Sequence, residues 1–219
     1  MTEATNKVIY SFIGLPASGK GTQAHLLAEK HKIRRIVGVG DLVRDIMEED
    51  ENSSDPFVKS IKERYDAGIP QPDDVAIDLV RRYLGNSTTS VIFDNFPFTS
   101  AQADFVEEWI ESHDDWDKHV IIYIHVDPEE AVKRAITRKV CTECGAIFGT
   151  TDEMICEKCG GSLMVRADDN EDTMRKRIEV YLPHIKEVLE YYRRLGDRII
   201  EVDGNKPVAE VTAEIESKL

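Results

Sequence analysis

Four runs of the chain are apolar almost throughout instead of alternating: VIYSFI (8–13), VIFD (91–94), VIIYIHV (120–126) and RIIEVD (198–203), with a weaker fifth in IRRIV (33–37). Such runs suit strands buried on both faces of a parallel sheet. Between them lie helical patterns that begin at Lys20, near Gly40, after Thr99 and after Pro128, and a long one from about Asn170 to Leu195. Strand alternating with helix predicts an α/β fold, a doubly wound parallel sheet of about five strands with helices on both faces. Pro183 falls inside the long pattern, where it should kink the helix or mark a break. Two segments fit the alternation poorly. Residues 38–71 hold several short helical patterns running into the turn-rich AGIPQPDD, and residues 140–168 hold all four cysteines and four glycines with little apolar periodicity. Both read as insertions into the core.

Length and composition narrow the class. A chain of 219 residues with 41% hydrophobic content fits one generous domain, or one domain with small insertions. The opening MTEATNKVIYSFIGLP has no basic segment leading into a long apolar run, and no stretch approaches the roughly 20 apolar residues of a membrane span. A soluble, cytoplasmic protein is expected, and a monomer, since no long apolar heptad suggests assembly. The 28 basic and 42 acidic residues leave a net charge of −14, which argues against nonspecific nucleic-acid or anionic-membrane binding. It leaves room for a small anionic substrate wherever arginines gather. EEDE (48–51) and DDWD (114–117) read as solvated acidic faces.

GLPASGKGTQ (14–23) follows the first strand pattern directly, and its Gly14, Gly19 and Lys20 match G-x-x-x-x-G-K, the phosphate-binding loop (P-loop). Glycines let backbone N–H groups turn inward around a phosphate, and the following helix points its positive end at the anion. Gly14, Ala17, Ser18, Gly19, Lys20, Gly21 and Thr22 are thus the candidate ATP-binding residues here, with Gly21 where the common pattern has Ser or Thr. Asp94 ends a neighbouring strand pattern at the carboxyl edge of the sheet, where such folds bind ligands. It can hold Mg²⁺ or its waters against the phosphates, or it can cap the helix after Thr99.

Taken with that loop, five further segments resemble the adenylate kinases, in the broader nucleoside monophosphate kinase family. They are GDLVR (40–44), IFDNFPFTSAQ (92–102), VKRAITRK (132–139), RADDNEDTMRKR (166–177) and VDGNKPVAEV (202–211), in the family's order along nearly the whole chain. The resemblance implies reversible γ-phosphoryl transfer from MgATP to AMP, giving two ADP. It makes residues 1–37, 72–136 and 170–219 a core nucleotide-binding domain, 38–71 an acceptor-binding insertion and 137–169 a lid. It implies catalytic roles for Lys20, Asp94, Arg138, Arg166 and Arg177, and adds Arg134, Arg138 and Lys206 to the ATP site. Val39, Arg44, Gln102, Arg166 and Arg177 are implied for the acceptor nucleotide, and Asp168 and Asp169 as hydrogen-bond acceptors when the lid shuts.

The chain departs from the family at several points. Phe98 stands where the D-G-F-P-R-T segment has the arginine that binds the acceptor phosphate, Asn95 replaces that segment's glycine, Val39 a threonine and Ala17 a P-loop glycine. A five-donor fork has become an apolar ring. Arg34, Arg35 and Arg64 are candidates to compensate. An acceptor other than AMP, or an ATP-binding sensor with decayed acceptor chemistry, are the competing readings.

CTECG (141–145) and CEKCG (156–160) form C-x₂-C-x₁₁-C-x₂-C from Cys141, Cys144, Cys156 and Cys159, each pair followed by glycine. Four thiolates at this spacing suit a structural, tetrahedral Zn²⁺, with disulfides or free thiols as the alternatives. The six histidines show no partnered spacing and receive no role.

Overall fold

The computed structural model describes residues 7–34, 36–49, 54–66, 69–165, 169–196 and 199–219. In chain order it runs β1 (Lys7–Ile13), α1 (Lys20–His31), β2 (Ile36–Val37), α2 (Val39–Glu49), α3 (Pro56–Asp66), α4 (Asp73–Gly85), β3 (Val91–Asp94) and α5 (Ser100–Glu111). It continues β4 (Trp116–His125), α6 (Pro128–Thr137), β5 (Arg138–Cys141), β6 (Ile147–Thr150), β7 (Leu163–Met164), α7 (Glu171–Leu195), β8 (Ile199–Asp203) and α8 (Val208–Lys218). The main sheet has five parallel strands in the order β2-β3-β1-β4-β8. Burial on both faces explains the unbroken apolar runs. In β4, Val120, Ile122 and Ile124 pack on one side with Leu27 of α1 and Ile215 of α8, while Ile121 packs on the other with Ala131 of α6 and Val188 of α7. Adjacent residues thus point to opposite helix layers, as the strand period requires.

Register places the chemistry. Phe12 of β1 lies opposite Asp94 of β3, so the carboxyl ends of the two central strands finish at the same level. Asn95 then turns at φ 58°, its N–H donating back to the Phe12 carbonyl at 2.9 Å. The Phe96–Pro97 peptide is cis. Thr99, Asp127 and Asn170 cap α5, α6 and α7 by accepting from Gln102, Glu129 and Thr173 N–H groups.

The structure differs from the sequence expectations in four ways. The fifth strand is confined to Ile36–Val37 within the described part of IRRIV. β4 begins at Trp116, four residues before its apolar run. The long helix runs through Pro183 as one element, so the proline marks no break. Helices α4 and α8 and a second, antiparallel sheet β6-β5-β7 inside residues 138–164 add elements that periodicity did not announce. Among the described residues no helix is long and apolar enough to cross a membrane.

Candidate active site

The loop between β1 and α1 has the shape its glycines allow. A Cβ on Gly14 would lie 2.7 Å from the Ile124 carbonyl and 2.8 Å from Ser18 Oγ, so only glycine fits against β4 there. Gly19 sits at φ 94°, and Ala17 takes φ 61° without a glycine's freedom. No side chain caps α1 and its first turn holds no acid, which leaves its N–H groups and positive end open to an anion. Lys20 Nζ lies 3.8 Å from Asp94 Oδ1 and 3.4 Å from the Leu15 carbonyl, its side chain only 13% exposed. Asp94 Oδ1 and Ser18 Oγ are buried with no hydrogen-bond partner among the described residues. Thr99, not Asp94, caps α5, which removes the capping alternative for this acid.

Beside the loop is a cavity of about 210 Å³ whose lining includes Ser18, Thr22, Arg134, Gly204, Lys206 and Val208. It brings together P-loop residues with two cations from distant segments. Arg134 is held by Glu130 at 2.9 Å and donates to the Gly204 carbonyl at 2.8 Å. Lys206 is held by Glu214 at 2.8 Å. Sequence reasoning placed Pro207, Val208 and Val211 within the segment VDGNKPVAEV (202–211) but gave them no role, and in the structure they form the apolar wall of this cavity. It also missed Ile147 of β6, whose Cδ1 would lie 3.9 Å from a Cβ on Gly21. That proximity brings the second sheet over the P-loop.

Arg138 forms two parallel bonds to Asp169, both 2.7 Å, in a pair whose carboxylate side chain is 0% exposed and whose guanidinium side chain is 12% exposed. Arg166 and Asp168 lie outside the described residues. Arg44 pairs with Asp41 and donates to the Tyr65 hydroxyl at 2.6 Å. Burial lowers its pKa, but the Tyr65 hydroxyl and the Asp41 carboxylate outweigh that and raise it overall. Val39 begins α2, half-buried against the hydrophobic cluster around Phe93. Gln102 is turned inward and 3% exposed, its amide donating to Asp73 at 2.7 Å and accepting from the Phe98 N–H at 2.8 Å.

The four cysteines converge, and none is disulfide-bonded. All four sulfurs lie within 4.8 Å of one another, with Cys141–Cys159 at 3.4 Å and Cys144–Cys156 at 3.7 Å. A tetrahedron with Zn–S bonds of about 2.3 Å has edges of about 3.8 Å, so the set fits the ion. Each pair sits on a matching turn, Gly145 at φ 68° with its N–H on the Cys141 carbonyl and Gly160 at φ 79° with its N–H on the Cys156 carbonyl. Backbone N–H groups at Cys144 and Glu143 draw the Cys141 thiol down to about 6. The Gly161 N–H lowers Cys159 too, but the Cys144 and Cys141 sulfurs beside it push it up to about 12.

The sequence model of the adenylate kinase family matches residues 12–197. The chain belongs to that family. It is 35% identical to the adenylate kinase of Alkaliphilus oremlandii, across 94% of this chain and 96% of that protein. To the adenylate kinase of Archaeoglobus fulgidus it is 36% identical, across 95% and 96%. The Bacillus licheniformis adenylate kinase is also 36% identical, across 94% and 95%.

Against the adenylate kinase pattern, the departures have a local physical account. Asn95 occupies a left-handed backbone position where its family has glycine, and asparagine tolerates that region better than most other residues. Phe98 does not leave a hole. Its ring packs edge-on against Tyr181 at 5.0 Å and lies 4.3 Å from the His184 imidazole, both from α7. Arg177 lies on the Tyr181 ring at 5.9 Å. Of the arginines expected to compensate for Phe98, Arg64 is committed to the Pro70 carbonyl at 2.6 Å and 3.1 Å, Arg34 is exposed, and Arg35 lies outside the described residues.

Proposed function

We propose that the protein catalyses reversible γ-phosphoryl transfer from MgATP to AMP, giving two ADP. The observation that carries this reading is Lys20 facing Asp94 at 3.8 Å, at the uncapped start of α1. Phosphoryl transfer needs little covalent help, so catalysis is positioning and charge neutralisation. The P-loop N–H groups and Lys20 bind the donor phosphates, with Gly14, Ala17, Ser18, Gly19, Gly21 and Thr22 shaping the cradle. Arg134 and Lys206 line the adjoining cavity, and its apolar wall suits a base. The buried, unsatisfied Asp94 Oδ1 is a fitting partner for hydrated Mg²⁺, which when bound neutralises phosphate oxygens.

On this reading residues 1–37, 72–136 and 170–219 form the core, 38–71 bind the acceptor through Val39 and Arg44, and 137–169 are the lid. Arg138, Arg166 and Arg177 neutralise the transferring group, and closure of the lid excludes water that would otherwise accept it. Gln102 positions the acceptor base, its amide oriented by Asp73 and the Phe98 N–H. Cys141, Cys144, Cys156 and Cys159 hold a structural Zn²⁺, consistent with the tetrahedral fit of their sulfurs.

Phe98 favours a second reading, a changed acceptor. The test is chromatographic detection of nucleoside diphosphates from MgATP with AMP, CMP, UMP, GMP or dAMP in separate reactions. ADP formed fastest with AMP is the expected result. Another preferred acceptor selects the second reading, and bound ATP with no product from any acceptor overturns both in favour of a nucleotide sensor.

A further inference from the structure

We infer that Gln23 is a positioning residue for the donor nucleotide, tying the phosphate cradle to the wall that faces the donor base. The inference rests on the donor-site reading above. Gln23 lies three residues beyond Lys20 on α1, so the two share one side of the helix. It lines the cavity of about 210 Å³ together with Thr22, Lys206 and Val208. The side chain is polar, yet the residue is only 4% exposed. A buried amide needs partners, and those of Gln23 come from the far end of the chain. Its Nε2 donates to the Val208 carbonyl at 3.0 Å, and its Oε1 accepts from the Thr212 hydroxyl at 2.8 Å.

These bonds fall where a tie has most effect. The wall segment 204–208 is anchored to the core at its first residue. The Gly204 N–H donates to the His125 carbonyl at 2.8 Å, and Arg134 donates to the Gly204 carbonyl at 2.8 Å. A Cβ on Gly204 would stand 2.6 Å from Ile124 Cγ2, so the segment presses directly on β4 there. Gln23 takes hold of the other end, at Val208. Lys30 with Glu216 at 2.9 Å is a further polar tie between α1 and α8. It lies about two turns along α1 from Gln23, away from the phosphate end. Apolar packing of Ala24 and Leu27 with Val211 and Ile215 also joins the helices, but such contacts are non-directional. Hydrogen bonds are directional, so the amide supplies the register. A nucleoside triphosphate fixes the separation of its base and phosphates through the ribose. Binding is strongest when cradle and wall are held at the matching separation before the ligand arrives.

The test is calorimetric binding of MgATP and of magnesium tripolyphosphate, which carries phosphates but no base, to the zinc-loaded wild type and two variants. Gln23→Leu keeps a side chain of similar size and loses both bonds. The Val208 carbonyl is not stranded by it, because the Thr212 hydroxyl lies 2.9 Å away. This variant is expected to bind MgATP about fivefold more weakly and tripolyphosphate as the wild type does. Thr212→Val removes only the partner of Oε1 and is expected to show a smaller loss of the same kind. It carries the comparison if Gln23→Leu does not fold. Unchanged MgATP affinity in both variants overturns the proposal, and so does an equal loss for tripolyphosphate, which would confine Gln23 to shaping the cradle. A wild type that binds MgATP no more tightly than tripolyphosphate overturns the donor-base reading and the proposal together. Turnover is measured separately, so a protein that shows the expected signature but forms no ADP refutes the kinase reading alone.

Discussion

Lys20 is the residue on which most of the proposed chemistry converges, since its ammonium lies between the P-loop carbonyl of Leu15 and the Asp94 carboxylate. Lys20→Met keeps the length of the side chain and removes its charge. It should lower kcat for ADP formation by about 10²- to 10³-fold, the usual loss when one preorganised charge is removed, with an unchanged unfolding curve. A fall of less than threefold would show that the ammonium is not at the transferring group. Asn95 tests backbone strain instead of charge. At φ 58° a β-branched residue clashes with its own backbone, so Asn95→Val should destabilise the fold by about 1–2 kcal/mol in urea titration, and Asn95→Gly should be close to neutral. Equal stability of the two variants would mean that the turn relaxes.

At the scale of elements, legibility followed burial. The strands of the main sheet were readable because both faces are covered, so VIYSFI and VIIYIHV carry no polar interruption. Helix α4 was not readable because it starts behind Pro70 and Pro72 with two aspartates, which look like a turn, although acids in a first turn stabilise a helix. Strands β5, β6 and β7 were hidden because Ile147 and Met164 are exposed and thiols occupy the places of a core. The P-loop and the cysteines were legible as spacing. The ring cluster of Phe98 with Tyr181 and His184 was not, since Phe98 lies more than 80 positions from the other two. The Arg138–Asp169 pair does work at this scale, because the second sheet leaves the core at Arg138 and the chain returns at Asp169. Asp169→Ala strands a mostly buried guanidinium and should cost about 3 kcal/mol, with Asp169→Asn costing less, both by denaturant titration. Glu214 of helix α8 is paired in a different way, with Lys206 just before the helix and Lys218 in its last turn, and the two bonds hold its carboxyl down at about 2. A depressed carboxyl stabilises the fold above its ordinary value near 4.5 and loses that contribution as pH falls toward 2. Glu214→Gln should therefore narrow the Tm difference between pH 6 and pH 3, and an unchanged difference would remove this pair from the acid response.

Across the whole molecule the two sheets stand on different physical footings. The five-stranded sheet is buried between helix layers rich in isoleucine, valine and leucine, and its stability is expected to need no ion. The three-stranded sheet has a core of Cys141, Cys156 and Leu163, with only Ala146 and Phe148 packed against it among the described residues. So few apolar side chains cannot offset the conformational entropy of ordering some thirty residues, about 1–2 kcal/mol each for the backbone alone. Bound metal supplies folding free energy directly to such a segment. The purified protein should therefore contain one zinc per chain by elemental analysis. Removing it with a chelator should make residues 137–169 a site of rapid proteolysis while the main-sheet core stays resistant and far-UV helicity is nearly unchanged. On the proposed reading, ATP should still bind through the P-loop but ADP formation should fall, because the arginines and the water barrier assigned to the lid would no longer be presented in order. Refilling with zinc should restore both protection and turnover. If the stripped protein keeps its protease resistance in this segment, the cysteines are not what holds the lid together. If stripping unfolds the whole chain, the two sheets are not independent of each other.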